Sequence, residues 1–189
     1  MKRWLKHLFI PFALIDTALP KAGLIVDIGC GEGTVTLFLS QRPKRRLIGI
    51  DRDATRLHLA KVEAKGKKNV RFIKADLLKL SLPKNLSGCV IADVIHHLPR
   101  SFHAKLLNTV VRNLKPGGVL VIKEIVTDDV LRSKLSRLWD FILYPKDTIY
   151  YRSLKDYTAM LKKTGCQVTH QRTNHLTPAS IHLFKATKK

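Results

Sequence analysis

Eleven residues near the start of the chain concentrate its chemistry: Val26-Asp27-Ile28-Gly29-Cys30-Gly31-Glu32-Gly33-Thr34-Val35-Thr36. Glycines at 29, 31 and 33 follow an apolar run and precede a helix-compatible one. Glycine permits positive φ and lets a ligand come close to the backbone. A dinucleotide fingerprint, Gly-x-Gly-x-x-Gly, needs glycine at 34, where Thr stands, and the Gly-Lys-Ser/Thr of a triphosphate loop is absent. Neither a pyrophosphate nor a triphosphate is therefore the natural guest.

Carboxylates beside the glycines narrow the reading. Asp27 lies two residues before Gly29. Asp51 ends a second apolar run about 20 residues on, where a carboxylate accepts from ribose hydroxyls. Asp76 follows a third run and is placed to accept from an adenine amino group. The set describes an adenosine ligand without phosphates. With Asp27 to meet an ammonium group, it describes S-adenosylmethionine.

These residues must be positioned by elements that alternate. Residues 23–29, 46–51, 69–76, 88–95 and 119–125 read as strands, and 34–42, 54–66 and 101–118 as helices, the last with Ser101 as N-cap and Pro116-Gly117-Gly118 as stop. Continuous apolar strands alternating with helices mean a parallel sheet covered on both faces, an α/β fold that binds ligands beyond the carboxyl ends of its strands. Further on, Leu131, Leu135, Leu138, Trp139, Ile142 and Leu143 form one helical stripe ended by Pro145. Residues 153–165 read as a helix capped by Ser153 and stopped by Gly165, and 166–173 and 180–187 as an antiparallel closing pair.

At this point the chain resembles the class I S-adenosylmethionine-dependent methyltransferases. The resemblance is carried by VDIGCGEG (26–33), GIDRD (49–53), KADLL (74–78), IADVIHHLP (91–99) and LKPGGVLVIKE (114–124), in the family's order. It implies a Rossmann-like three-layer sandwich with a seven-stranded, mostly parallel sheet and an antiparallel last strand. It further implies that Gly29, Cys30, Gly31 and Gly33 line the methionine portion and that Asp51 binds ribose. By the same resemblance Arg52 lies beside the adenine, Asp76 and Leu77 read its edge, and Ala92, Asp93 and Val94 lie near the sulfonium. The expected cofactor is S-adenosylmethionine, with S-adenosylhomocysteine as product and no metal.

The acceptor is written more faintly, because positioning an already activated donor supplies most of the rate. The Asn/Asp-Pro-Pro-aromatic run typical of enzymes acting on exocyclic base amines is missing, and no cysteine stands in the Pro-Cys or Thr-Cys setting of cytosine C5 chemistry. VIHHLP is the form seen in many family members that act on small molecules, quinones or lipids. His96 or His97 is a candidate general base. Against that stands the reading in which His97 structures the turn and His96 is exposed. Glu124 is a base, a substrate anchor or the partner of Lys123. Tyr150, Tyr151 and Arg152 offer aromatic faces and a fixed cation to a substrate.

Charge is the unusual bulk property: 35 Lys+Arg against 14 Asp+Glu give +21 over 189 residues. Such a field attracts polyanions, RNA or an anionic membrane surface. RPKRR (42–46) and KGKKNVR (65–71) are local clusters, the former expected at the amino end of the sheet, away from the donor. Cys30, Cys89 and Cys166 are odd in number and widely spaced, which fits a reducing cytoplasm rather than a disulfide framework. Trp4, Leu5, Leu8, Phe9, Phe12 and Ile15 fall near one helical face, a leading helix that packs on the domain, lids a pocket or lies on a membrane.

The expectation is one methyltransferase domain over 1–189. It comprises an N-terminal helical segment (1–20), a donor-binding core (21–125), a lid-like insertion (126–152) and a last helix with strand pair (153–189). The acceptor is small or lipid-like, with RNA as alternative and a non-catalytic basic binding module as a reading of another class.

Overall fold

The computed structural model describes residues 10–79, 81–128, 148–173 and 180–189. The leading-helix residues Trp4, Leu5, Leu8 and Phe9 and the stripe from Leu131 to Leu143 lie outside the described residues, as does most of the lid-like insertion.

The elements in chain order are α1 (Phe12–Ala18), β1 (Gly23–Ile28), α2 (Thr34–Leu39), β2 (Arg45–Asp51), α3 (Ala54–Glu63), β3 (Val70–Lys74), β4 (Leu86–Ala92), α4 (Arg100–Asn113), β5 (Leu114–Ile125), α5 (Leu154–Lys163), β6 (Gln167–Arg172) and β7 (Ile181–Thr187). Single 3₁₀ turns at Leu77–Lys79 and Ile95–His97 follow β3 and β4. The seven strands form one sheet in the order β3-β2-β1-β4-β5-β7-β6. β1 to β5 run parallel and β7 runs antiparallel between β5 and β6, as the resemblance implied.

Strand periodicity assigns the faces. Ile25, Val90, Val119 and Val121 join Ile15 and Leu19 of the α1 segment and Val35 and Leu39 of α2 in one core. Their neighbours Val26, Cys89, Ile91, Leu120 and Ile122 join residues of α4 and α5 in the other. Because side chains alternate along a strand, Asp27 and Lys123 belong to the α1–α2 face and Glu124 to the α4–α5 face. The chain order reverses between β1 and β4, so a crevice opens above their carboxyl ends.

Two local expectations are corrected. α4 starts at Arg100 after Pro99, with no side-chain cap, so Ser101 sits inside the first turn instead of capping it. Helix 101–118 stops earlier, at Asn113, and β5 takes up Leu114 onward, including Pro116-Gly117-Gly118. Proline pushes the residue before it to extended backbone, and the turn is then tied by Gly117 N–H donating to the Lys188 carbonyl.

The basic RPKRR segment is partly internal. Arg45 is fully buried, donates from Nε to the Pro20 carbonyl at 2.8 Å and pairs with Asp16, which also pairs with Arg42. Two of the cluster's cations thus pin α1 to the amino edge of the sheet. At the outer edge, β3 exposes Arg71 and Lys74, the charged edge that discourages further strand pairing.

Candidate active site

The loop after β1 is held by its own packing before any ligand is considered. Gly29, Gly31 and Gly33 all have positive φ, at 71°, 54° and 76°. A Cβ on Gly29 would lie 2.3 Å from Val94 Cγ2, and one on Gly33 would lie 2.8 Å from Phe72 Cζ. A Cβ on Gly31 would meet nothing closer than Arg56 Cδ at 3.9 Å. Gly29 and Gly33 are therefore demanded by neighbouring side chains as well as by φ, whereas Gly31 faces open ground.

Asp51 fixes the loop from the next strand. Its Oδ2 accepts from Gly31 N at 2.8 Å and its Oδ1 from Asp53 N at 2.9 Å. Asp53 in turn caps α3, accepting from Thr55 and Arg56 N–H. Each Asp51 oxygen keeps a lone pair for a further donor, so a ribose diol fits this carboxylate. Open space at Gly31 fits the rest of the donor.

Asp27 lies beneath the loop at 2% exposure, and its Oδ2 accepts from Thr36 Oγ1 at 2.6 Å. Burial, with Asp51 nearby, pushes its pKa up to about 7 against the pull of Thr36. The carboxyl thus ties β1 to α2. Cys30 is half-buried, and burial and then the charges of Asp27 and Asp51 push its thiol up, away from nucleophilic use. Asp76 is exposed and accepts from Leu78 N at 2.9 Å, shaping the turn that carries Leu77. Arg52 is exposed beside Asp51.

Above β4 the VIHHLP turn is built around Glu124. Its Oε1 accepts from Val94 N at 3.0 Å and Ile95 N at 2.7 Å, and its Oε2 meets His96 Nδ1 at 2.5 Å. Burial raises the Glu124 pKa, but the His96 charge and hydrogen bond and the two backbone donors outweigh it, and the net shift is downward. His96 is 2% exposed, the reverse of the expectation that His96 is the exposed member of the pair. It lies against His97 at 4.3 Å and stacks on Tyr151 at 5.5 Å between ring centroids.

Lys123 is not the partner of Glu124. Consecutive strand residues face opposite sides, and Lys123 Nζ reaches both oxygens of Asp93, at 2.6 and 2.7 Å. Asp93 has φ of 56° just past Ala92 at the β4 end, so a strained residue turns its charge to the sheet edge.

Tyr150, Tyr151 and Arg152 form a strap over this turn. Tyr150 N–H donates to the His96 carbonyl at 2.7 Å, and Tyr151 is buried. Arg152 Nε donates to His103 Nδ1 at 2.8 Å and its Nη2 to the Arg100 carbonyl at 3.1 Å. The fixed cation expected to hold substrate is therefore spent on α4, a partnership that no local spacing announces. Among the described residues no three His, Cys, Asp or Glu side chains are gathered as metal ligands would be, and no helix is long and apolar enough to cross a membrane.

A seven-stranded sheet in which β7 is inserted antiparallel between β5 and β6, with a glycine loop after β1 and an acid ending β2, is the arrangement of the class I methyltransferase fold. Residues 25–118 match a family profile described as a methyltransferase domain, and the chain belongs to this family. A trans-aconitate 2-methyltransferase of Azoarcus sp. (strain BH72) is 35% identical over 111 residues, covering 58% of this chain and 42% of that protein. The chain spans less than half the length of the first curated relatives it matches. The YcgJ protein of Bacillus subtilis superposes at TM-score 0.76 with 19% identity, over 95% of this chain and 98% of that one. Human N-acetylserotonin methyltransferase, solved in complex with S-adenosylmethionine, superposes at TM-score 0.76 with 21% identity, over 97% of this chain and 53% of that one. These two likenesses establish the fold.

Proposed function

We propose that the chain transfers a methyl group from S-adenosylmethionine to a small acceptor through one of the acceptor's carboxylates, giving a methyl ester. When bound, the donor supplies a methyl on a cationic sulfur, which keeps the electron pair of the broken S–CH₃ bond as an acceptor oxygen forms the new one. Carboxylate and sulfonium charges cancel, so no proton has to move.

One observation carries this reading. His96 on the turn beside the expected transfer site and Glu124 of β5 beneath it, the imidazole and carboxylate nearest that site, are enclosed and bound to each other. A general base is needed only for an acceptor that arrives protonated, and a carboxylate is already ionised at neutral pH. The residues' work is then positioning. Asp51 and the Gly31 loop hold the donor, and the Asp93–Lys123 pair, His97 and Leu77 shape the space above β4. The trans-aconitate named in the Azoarcus relative is an acid of this kind. A net charge of +21 draws small anions toward the protein as it would RNA.

The test is transfer of labelled methyl to trans-aconitate, with the product's label released by mild base as expected of an ester. Base-stable label would overturn the carboxylate as acceptor atom. Absence of S-adenosylmethionine binding in titration calorimetry would overturn the donor site itself.

A further inference from the structure

At the carboxyl edge three strands place Glu124, His182 and Arg172 in one row. Glu124 of β5 is paired with His182 of β7, and His182 with Arg172 of β6. Directly paired residues share a face, here the one covered by α4 and α5. The acid of the row is fully engaged by His96 and the Val94 and Ile95 amides. The two bases are not. Arg172 Nε and Nη2 and His182 Nδ1 are enclosed and have no hydrogen-bond partner among the described residues. Tyr157 Oη is in the same condition, and its ring packs on Phe184, which packs on His182. Burial, then His170 and Arg172, hold His182 protonation down, so the row presents chiefly the guanidinium charge.

Enclosing charged donors without an acceptor is costly. The fork of a guanidinium matches the two oxygens of a planar carboxylate. Strands lie about 4.8 Å apart, so β6 is about 14 Å from β4. An arginine side chain and an acid with more than one carboxylate close that span between them.

The geometry points to Arg172, assisted by His182, as the subsite for a second carboxylate of the acceptor, the one that is not methylated. This rests on the carboxylic-acid reading above. One end of a polycarboxylate is held on β6 while the other is presented at the β4 edge, so Arg172 sets specificity for acids with at least two carboxylates.

The test uses the full chain loaded with S-adenosylhomocysteine and titrated with trans-aconitate, and in parallel with inorganic phosphate. Arg172→Gln should weaken trans-aconitate binding about 10- to 100-fold, the loss expected when a charged hydrogen-bond partner is removed. Arg172→Lys should recover only part of it, and S-adenosylhomocysteine affinity should stay unchanged. If Arg172→Gln loses S-adenosylhomocysteine binding through misfolding, Arg172→Lys and His182→Gln carry the test. Equal trans-aconitate affinity in wild type and a folded Arg172 variant overturns the subsite, as does phosphate binding as tightly as the acid, or no acid binding at all. Arg172-dependent binding without methyl transfer leaves the subsite standing and sinks the transfer reading. Transfer with an unchanged KM in Arg172→Gln does the opposite.

Discussion

Glu124 and His96 stand 28 residues apart in the chain and meet at 2.5 Å inside the protein, with Glu124 also gathering the Val94 and Ile95 amides. A single carboxylate thus organises the backbone of the turn that overlooks the donor crevice. Removing the carboxylate leaves the enclosed Val94 and Ile95 N–H groups and the His96 ring without their partner, so Glu124→Ala should cost about 3–5 kcal/mol. Because the folded Glu124 pKa lies below its ordinary value, its stabilisation is complete above the unfolded carboxyl pKa and is lost as pH falls through the folded one. Urea titrations across the acid range should therefore show a shallower acid loss in Glu124→Gln than in wild type. A parallel pH profile in the two proteins would refute the pairing.

Asp27 titrates in the opposite sense. Its folded pKa of about 7 lies above the unfolded 3.8, so its contribution is greatest below pH 4 and is lost as pH rises toward 7. Asn at 27 keeps an acceptor for Thr36 and has no charge to bury. The stability difference between Asp27→Asn and wild type should shift in favour of the variant between pH 4 and 8, by on the order of 2–4 kcal/mol. Chemical denaturation at both pH values measures it.

Asp51 is a two-sided acceptor, with Gly31 N on one oxygen and Asp53 N on the other. Asparagine would turn an N–H₂ toward one of these donors. Asp51→Asn should weaken S-adenosylmethionine binding about 10- to 100-fold in calorimetry, and unchanged affinity would remove Asp51 from the donor site.

The loop glycines should separate by what lies in front of them. Gly29→Ala adds a clash with Val94 to its positive φ and should cost about 2–5 kcal/mol. Val94→Ala in the same chain should return part of that loss. Gly31→Ala meets only the left-handed backbone cost, about 1–2 kcal/mol. Its larger effect should be on donor affinity. Urea midpoints and donor titrations on the three proteins test this order.

Much of the architecture was legible because it depends on local pattern. Apolar runs of strand length, alternating with helical stretches, specify a parallel sheet wherever the chain later folds them. Gly29, Gly31 and Gly33 announce a loop with positive φ, and Asp51 ending the next strand announces a carboxylate beside that loop, since both are written in residue type and spacing. Lys123 and Glu124 are adjacent in sequence, yet the pleat sends one to Asp93 and the other to His96. Arg45 belongs to a basic run but is buried on Asp16, and Arg152 stands beside two tyrosines but bonds to His103. Arg172 and His182 become neighbours only through the β6–β7 register. Spacing along the chain determined the elements and the glycine loop. Which charged side chains meet was decided by strand order, register and face, which bring together residues tens of positions apart.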